Sequence, residues 1–181
     1  MARIGLKNFK YSILDDEEEV TTPKSLGKAI DCKVALELNS AELYADDSLA
    51  ESDYSVKKGT ATLSVDDDDD KIFAEILGHS ISEDGEVLRK NSDVPPYVAI
   101  GRILTKIVNN VRKYKVEVLT KVKFKDTMPD ETTKGENVEF STVSIEGAVL
   151  VPKNEIWSKT KTFTDIKSAY EYLDSCLTKA E

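Results

Sequence analysis

The sequence predicts an α+β domain: a long-stranded, mostly antiparallel β sandwich or barrel with one short helix and one C-terminal flanking helix. Three observations predict it. Several runs alternate apolar and polar residues with the period of two that marks strands. Two segments instead carry apolar stripes at helical spacing. The chain has 181 residues, about 27% of them Ile, Leu, Val or Phe. That is enough for about one domain with a sizeable core, above the roughly 20% below which chains stay disordered.

Ile30–Leu38 is the clearest strand. Ile30, Cys32, Val34, Leu36 and Leu38 share one face, and Asp31, Lys33, Ala35 and Glu37 the other. Asn39–Asp53 is polar, with apolar points only at Leu43, Tyr44 and Leu49, and reads as a long loop. Loops of that length in a compact domain are usually functional or disordered. Tyr54–Val65 reads as the next strand. Lys71–Leu77 places Ile72, Phe73, Ile76 and Leu77 on one helical stripe, preceded by the acids Asp66–Asp70, which suit the positive end of a helix dipole. Gly78 stands where a glycine ends a helix. Glu83-Asp84-Gly85-Glu86 signals a hairpin turn, and Pro95-Pro96 breaks the chain.

Tyr97–Val108 and Val111–Phe124 are two long β runs joined by Asn109-Asn110, a pair that tolerates the positive φ of a tight turn. The first run is apolar on both faces: Val98, Ile100, Leu104 and Val108 on one, Tyr97, Ala99, Ile103 and Ile107 on the other. Such a strand is covered on both sides, and in a small β domain a second subunit is a candidate cover. In the second run Tyr114, Val116, Val118, Val122 and Phe124 are expected on one face, and Lys113, Lys115, Glu117, Lys121 and Lys123 on the other. Lys125–Asn137 reads as a second polar loop, Val138–Val151 and Glu155–Thr164 as strands. A helix capped by Thr164 or Asp165 then runs to about Leu177.

The exclusions are substantial. No apolar run reaches the ~18 residues of a membrane span, and Met1–Asp15 lacks the pattern of a secretory signal. A net charge of −9 and a pI near 4.8 argue against a dedicated duplex-DNA binder. Cys32 and Cys176 are far apart, form no CxxC, and read as buried reduced thiols; a disulfide would need the first long strand to touch the last helix. A single histidine, His79, removes any two-His metal site and reads as structural at a helix C-terminus. No phosphate-binding glycine loop or nucleophile elbow occurs. The run Asp66–Asp70 offers carboxylates to Ca²⁺ but lacks the glycine and terminal Glu of an EF-hand loop, so it reads as a solvated helix start. Asp46-Asp47 as a catalytic pair has no supporting base. The chain is expected to be no enzyme, with no cofactor and no metal.

Several segments in order carry a resemblance. They are Ala2-Arg3-Ile4-Gly5-Leu6-Lys7-Asn8, Gly27–Ala29 before the first long strand, Leu43-Tyr44-Ala45-Asp46-Asp47, and the acidic-then-apolar helix ending Ile76-Leu77-Gly78. Gly135-Glu136-Asn137, Phe140-Ser141 and Ile145-Glu146-Gly147 follow, then Trp157, Thr162-Phe163-Thr164 and an amphipathic helix. Taken together over nearly the whole length, the chain resembles the major tail proteins (tail tube proteins) of long-tailed phages and prophages of Gram-positive hosts. The segment LYADD is the most distinctive piece.

The resemblance implies a tail-tube-like fold over a single domain, residues 1–181, with long loops at about 39–53 and 125–137. It implies a structural virion protein that self-assembles into stacked hexameric rings, one sheet of each subunit joining an inner β barrel. The tube assembles around a tape-measure protein, ends in tail tip and tail terminator proteins, and passes DNA without sequence-specific binding. Its place would be the virion tail, and the host cytoplasm during assembly. Rings arise from heterologous interfaces whose rotation closes, and sheet pairing between copies removes exposed edges. The interface candidates are Leu43, Tyr44, Asp46, Asp47 and Leu49 on the first long loop, and Ile103 and Ile107 on the two-sided strand. The alternative is a β-barrel binding module for nucleic acid or a protein ligand, resting on the basic face Lys113–Lys123.

Overall fold

The computed structural model describes residues 2–45, 48–66, 69–126 and 143–179. Among them lie β1 (Ala2–Ile13), β2 (Lys24–Gly27), β3 (Ala29–Ala45), β4 (Ser48–Val65), α1 (Asp70–Leu77), β5 (Ser80–Ile81), β6 (Val87–Leu88), β7 (Val98–Val108), β8 (Val111–Phe124), β9 (Val143–Val149), β10 (Ser158–Phe163) and α2 (Ile166–Leu177). Strands β5 and β6 form a small hairpin of their own. The others form one antiparallel sheet with the path β2-β1-β7-β8-β9-β4-β3, and β10 pairs with β8 off that path. The expected class, mostly antiparallel β with a short and a C-terminal helix, is the one observed.

Strand β8 is the branch point. Its residues 114–119 pair with β10 and its residues 122–124 with β9. On its other edge Val98 stands opposite Val122 and Ile100 opposite Leu119, so two steps along β7 match three along β8. The extra residue is a bulge at Thr120–Lys121. There the Thr120 amide donates to the Trp157 carbonyl, and the Leu150 amide donates to the Lys121 carbonyl. A bulge sends the following side chains to the opposite face. The expected common face of β8 is therefore corrected. Tyr114, Val116 and Val118 pack with α2, while Val122 and Phe124 enter the main core.

The main core joins Phe9, Tyr11, Leu63, Ile76, Ile100 and Phe124, among others, from both halves of the sheet and from α1. A second cluster lies on the other side of β7 and β8, where Ala169, Leu173 and Leu177 of α2 cover Ala99, Ile103, Val116 and Val118. This corrects a second expectation. Through Ile103 the two-sided apolar strand is covered within its own chain, by α2 rather than by a subunit. Gly101 permits the close approach, since a Cβ there would lie 2.2 Å from Leu173 Cδ1.

The caps and turns follow local chemistry. The Asp69 side chain accepts from the Lys71 amide at the start of α1, and Gly78 ends it at φ 77°. A Cβ at Gly78 would sit 2.4 Å from the Val94 carbonyl oxygen. Tyr11 donates to Glu75 of α1 at 2.6 Å, and Lys24 pairs with the same carboxylate. Asp165 caps α2 through the Ser168 amide, and Lys10 of β1 ties Asp174 at 2.5 Å. Asn109 and Asn110 take φ 51° and 61°, as a tight I′-type turn requires.

Strand β1 shows no single period because it is itself broken. Its pairing with β7 shifts between Arg3 and Gly5 and between Lys7 and Lys10, with Asn8 at φ 56°. Even positions are apolar up to Leu6 and odd ones from Phe9 onward. The strand expected over Val138–Val151 is described from Val143. Of the loop expected at 125–137, Lys125 and Asp126 are described without regular structure, and the rest lies outside the described residues.

Candidate assembly surface

The long loop expected over Asn39–Asp53 is corrected to strand. β3 and β4 pair continuously from Ala29↔Val65 to Ala45↔Ser48. Strand β9, however, supports β4 only over Gly59–Val65. Beyond Gly59 the pair continues as a two-stranded ribbon, over residues 37–45 and 48–58, about 30 Å at the usual rise per residue. The polar composition misled because a ribbon clear of the body needs no buried face, so no clean alternation is written into it.

One face of this ribbon is not polar. Cys32 and Val34 of β3 pack against the main core. On the same face Leu36 and Leu38 follow, 40% and 53% exposed. A register shift between Glu37 and Leu38 brings Val56 opposite Leu38, and Tyr54, 56% exposed, lies two pairs further on, on the same face. The core-facing stripe thus runs out of the sandwich into solvent. Two strands alone are marginal in water without a covered apolar face, and burying such side chains is worth roughly 25 cal/mol per Å².

The free edges lie nearby. Among the described residues β3 pairs only with β4, and β2 covers β1 only at Phe9–Tyr11. A cleft of about 290 Å³ lies between these edges, lined by Gly5, Leu6, Ile30, Asp31 and Arg102 among others. Arg102 bridges its floor. Its Nε and Nη2 donate to Glu117 Oε2 at 3.1 and 2.8 Å, and its Nη1 donates to the Cys32 carbonyl at 3.0 Å. Lys115 pairs with the other Glu117 oxygen. Burial would raise the Glu117 carboxyl, but the Lys115 and Arg102 hydrogen bonds outweigh it and hold it below the usual range. Burial pushes the Cys32 thiol up to about 11, which makes it a poor nucleophile.

The sequence-derived candidates distribute unevenly. Leu43 and Tyr44 lie in β3 and Leu49 in β4, all on the ribbon, with Leu43↔Glu51 and Tyr44↔Leu49 as pairs. Asp46 and Asp47 lie outside the described residues. Ile107 is 37% exposed, opposite Arg112. Ile103 is withdrawn as an interface residue, because it is fully buried beneath α2 and reaches no partner without unfolding that helix. Leu36, Leu38 and Tyr54 were missed as surface residues. Their alternation is that of a half-buried strand, and only the tertiary structure shows where the cover over that face stops.

The basic face also divides. Lys113 and Lys115 stand opposite Lys106 and Leu104 on the sandwich side of the sheet. Lys121 and Lys123 lie 4.4 and 5.1 Å from the Tyr97 ring centre, beyond the bulge, and Lys121 pairs with Glu18 at 2.6 Å. The four lysines form no single track. His79 Nδ1 lies 2.9 Å from Asp93 Oδ2 and its Nε2 lies 3.4 Å from Asp126 Oδ2. Its side chain is 4% exposed, fastening the end of α1 to two neighbouring segments. Cys32 and Cys176 are free thiols against different clusters. No helix of the described residues is long and apolar enough to cross a membrane. No family model and no curated protein matches the chain.

Proposed function

We propose that this chain is a self-assembling subunit of a phage tail tube, which stacks as rings around a tape-measure protein and conducts DNA without binding its sequence. One observation carries the reading: the apolar stripe Leu36, Leu38, Val56 and Tyr54 runs out of the core onto a ribbon that, among the described residues, no third strand supports. An identical copy would cover it, and pairing along the open edges of β3 and β1 would remove them. The tail-protein resemblance over nearly the whole sequence supports the same reading, as does the β sandwich with a flanking helix. The two-sided strand no longer contributes, because α2 covers it.

The test is negative-stain imaging and light scattering of the full chain at rising concentration, with and without tail tips as seeds. Rings or tubes are expected from the wild type, and a strong loss from the pair Leu38→Lys and Tyr54→Lys. These positions are exposed in the monomer, so the variant should melt as the wild type does. A chain that stays monomeric at millimolar concentration with seeds present would refute the proposal.

A further inference from the structure

We infer that the ribbon of one copy docks by charge on the basic corner at the β7–β8 turn of a laterally neighbouring copy. This rests on the assembly reading and goes further by naming the two surfaces. The corner is an electrostatic anomaly in a chain of net charge −9. Lys106 stands directly opposite Lys113 across β7 and β8, and Arg3 of β1 is the register partner of Lys106 on the other side. Three adjacent strands thus carry a cation at one level, with Arg112 on the exposed pair next to them. Like charges directly opposite in a sheet repel. Among the described residues Lys106, Arg112 and Lys113 form no ion pair, whereas Lys115 and Arg102 just inside both reach Glu117. A carboxylate-bearing surface from outside would relieve the row.

The outer part of the ribbon has the matching sign: Glu42, Glu51 and Asp53 lie on it with no Lys or Arg, while Lys57 and Lys58 sit at its base, Lys58 paired with Glu37. Topology fixes the relation between the two features. β4 and β8 are both antiparallel to β9, so they run in the same direction, and their beginnings lie toward the same end of the sheet. Ribbon and basic corner therefore point to one end of the molecule. Copies related by rotation about an axis along the strands would bring the ribbon of one toward the corner of the next. That is a heterologous contact of the kind that closes into rings. A second copy is chosen over nucleic acid because the complementary charge is supplied by the chain itself.

The test is a charge-reversal cycle on the full chain, read by light scattering and imaging at ~50 mM and ~500 mM salt, where screening differs strongly. K106E/K113E is expected to raise the concentration needed for assembly at least tenfold at low salt, and E42K/E51K to do the same. The four-fold variant carrying both reversals should assemble within a few-fold of wild type. Circular dichroism and melting confirm that each variant folds. Wild-type-like assembly of either single reversal, or failure of the four-fold variant to recover, would overturn the docking and leave the assembly reading standing. So would reversals that change only the melting of the monomer, since that places the contact within one chain. Binding of a single-stranded oligonucleotide that K106E/K113E abolishes while assembly persists would assign the corner to nucleic acid instead. A wild type that never associates would remove both the docking and the reading beneath it.

Discussion

Leu173→Ala tests the claim that α2, rather than a neighbouring subunit, completes the core around β7. Leu173 is fully buried, sits over Gly101, and belongs to the cluster of Ala99, Ile103, Val116 and Val118. Truncating a buried leucine costs its transfer energy plus the cavity left behind, about 2.7–5.0 kcal/mol across sites of differing rigidity. The site can collapse only in part, because the floor is β-sheet backbone at a glycine and the helix is pinned by the Lys10–Asp174 pair and the Asp165 cap. The expected loss is therefore about 3–4 kcal/mol. For a domain of this length each kcal/mol moves Tm by about 2–4 °C, so a fall of roughly 6–16 °C follows. Urea unfolding at a concentration where the chain is monomeric gives the free energy directly, with an unchanged slope confirming that the folded state is intact. A loss under about 1 kcal/mol would mean that α2 does not cover this face in the free monomer, and would reopen the face as an interface.

Other expectations are more local. Asn110 holds φ 61°, so Asn110→Gly should stabilise the monomer by about 0.5–1 kcal/mol, seen as a higher urea midpoint. Glu117 is held below its unfolded value, so its contribution is present above about pH 5 and is lost as pH falls through its folded value. Glu117→Gln should lower stability at pH 7 and flatten the acid side of the stability curve; an acid limb as steep as wild type would refute its part. With Cys176→Ser leaving one thiol, Cys32 at about 11 should react with a thiol reagent at pH 8 roughly a hundredfold more slowly than an unfolded cysteine. Equal rates would show that the cleft between β1 and β3 does not shield it.

What could be read along the chain and what could not divide by the range of the interaction. Lys71–Leu77 with its acidic start and Gly78 stop, the helix behind Asp165, the Asn109-Asn110 turn and the Ile30–Leu38 strand all follow from contacts within a few residues, where side-chain period and φ preference decide the outcome. Strand β1 was unreadable for an equally local reason: two register breaks and a positive φ at Asn8 interrupt any period. The β8 bulge was hidden differently. Val116 and Val122 obey one alternation in the sequence, yet the hand-over of the β8 edge from β10 to β9 turns the strand between them.

For the candidate surface, Leu43, Tyr44 and Leu49 stood out because their stretch lacked a core pattern, although it proved to be paired strand. The fate of Ile103, Leu36 and Leu38 turned on coverage. All three belong to apolar alternations, but α2 seals the first, while the other two stand 40% and 53% exposed. Alternation records that a side chain is apolar and which way it points. Whether anything lies over it depends on elements distant in the chain, which fold topology alone brings together or leaves apart.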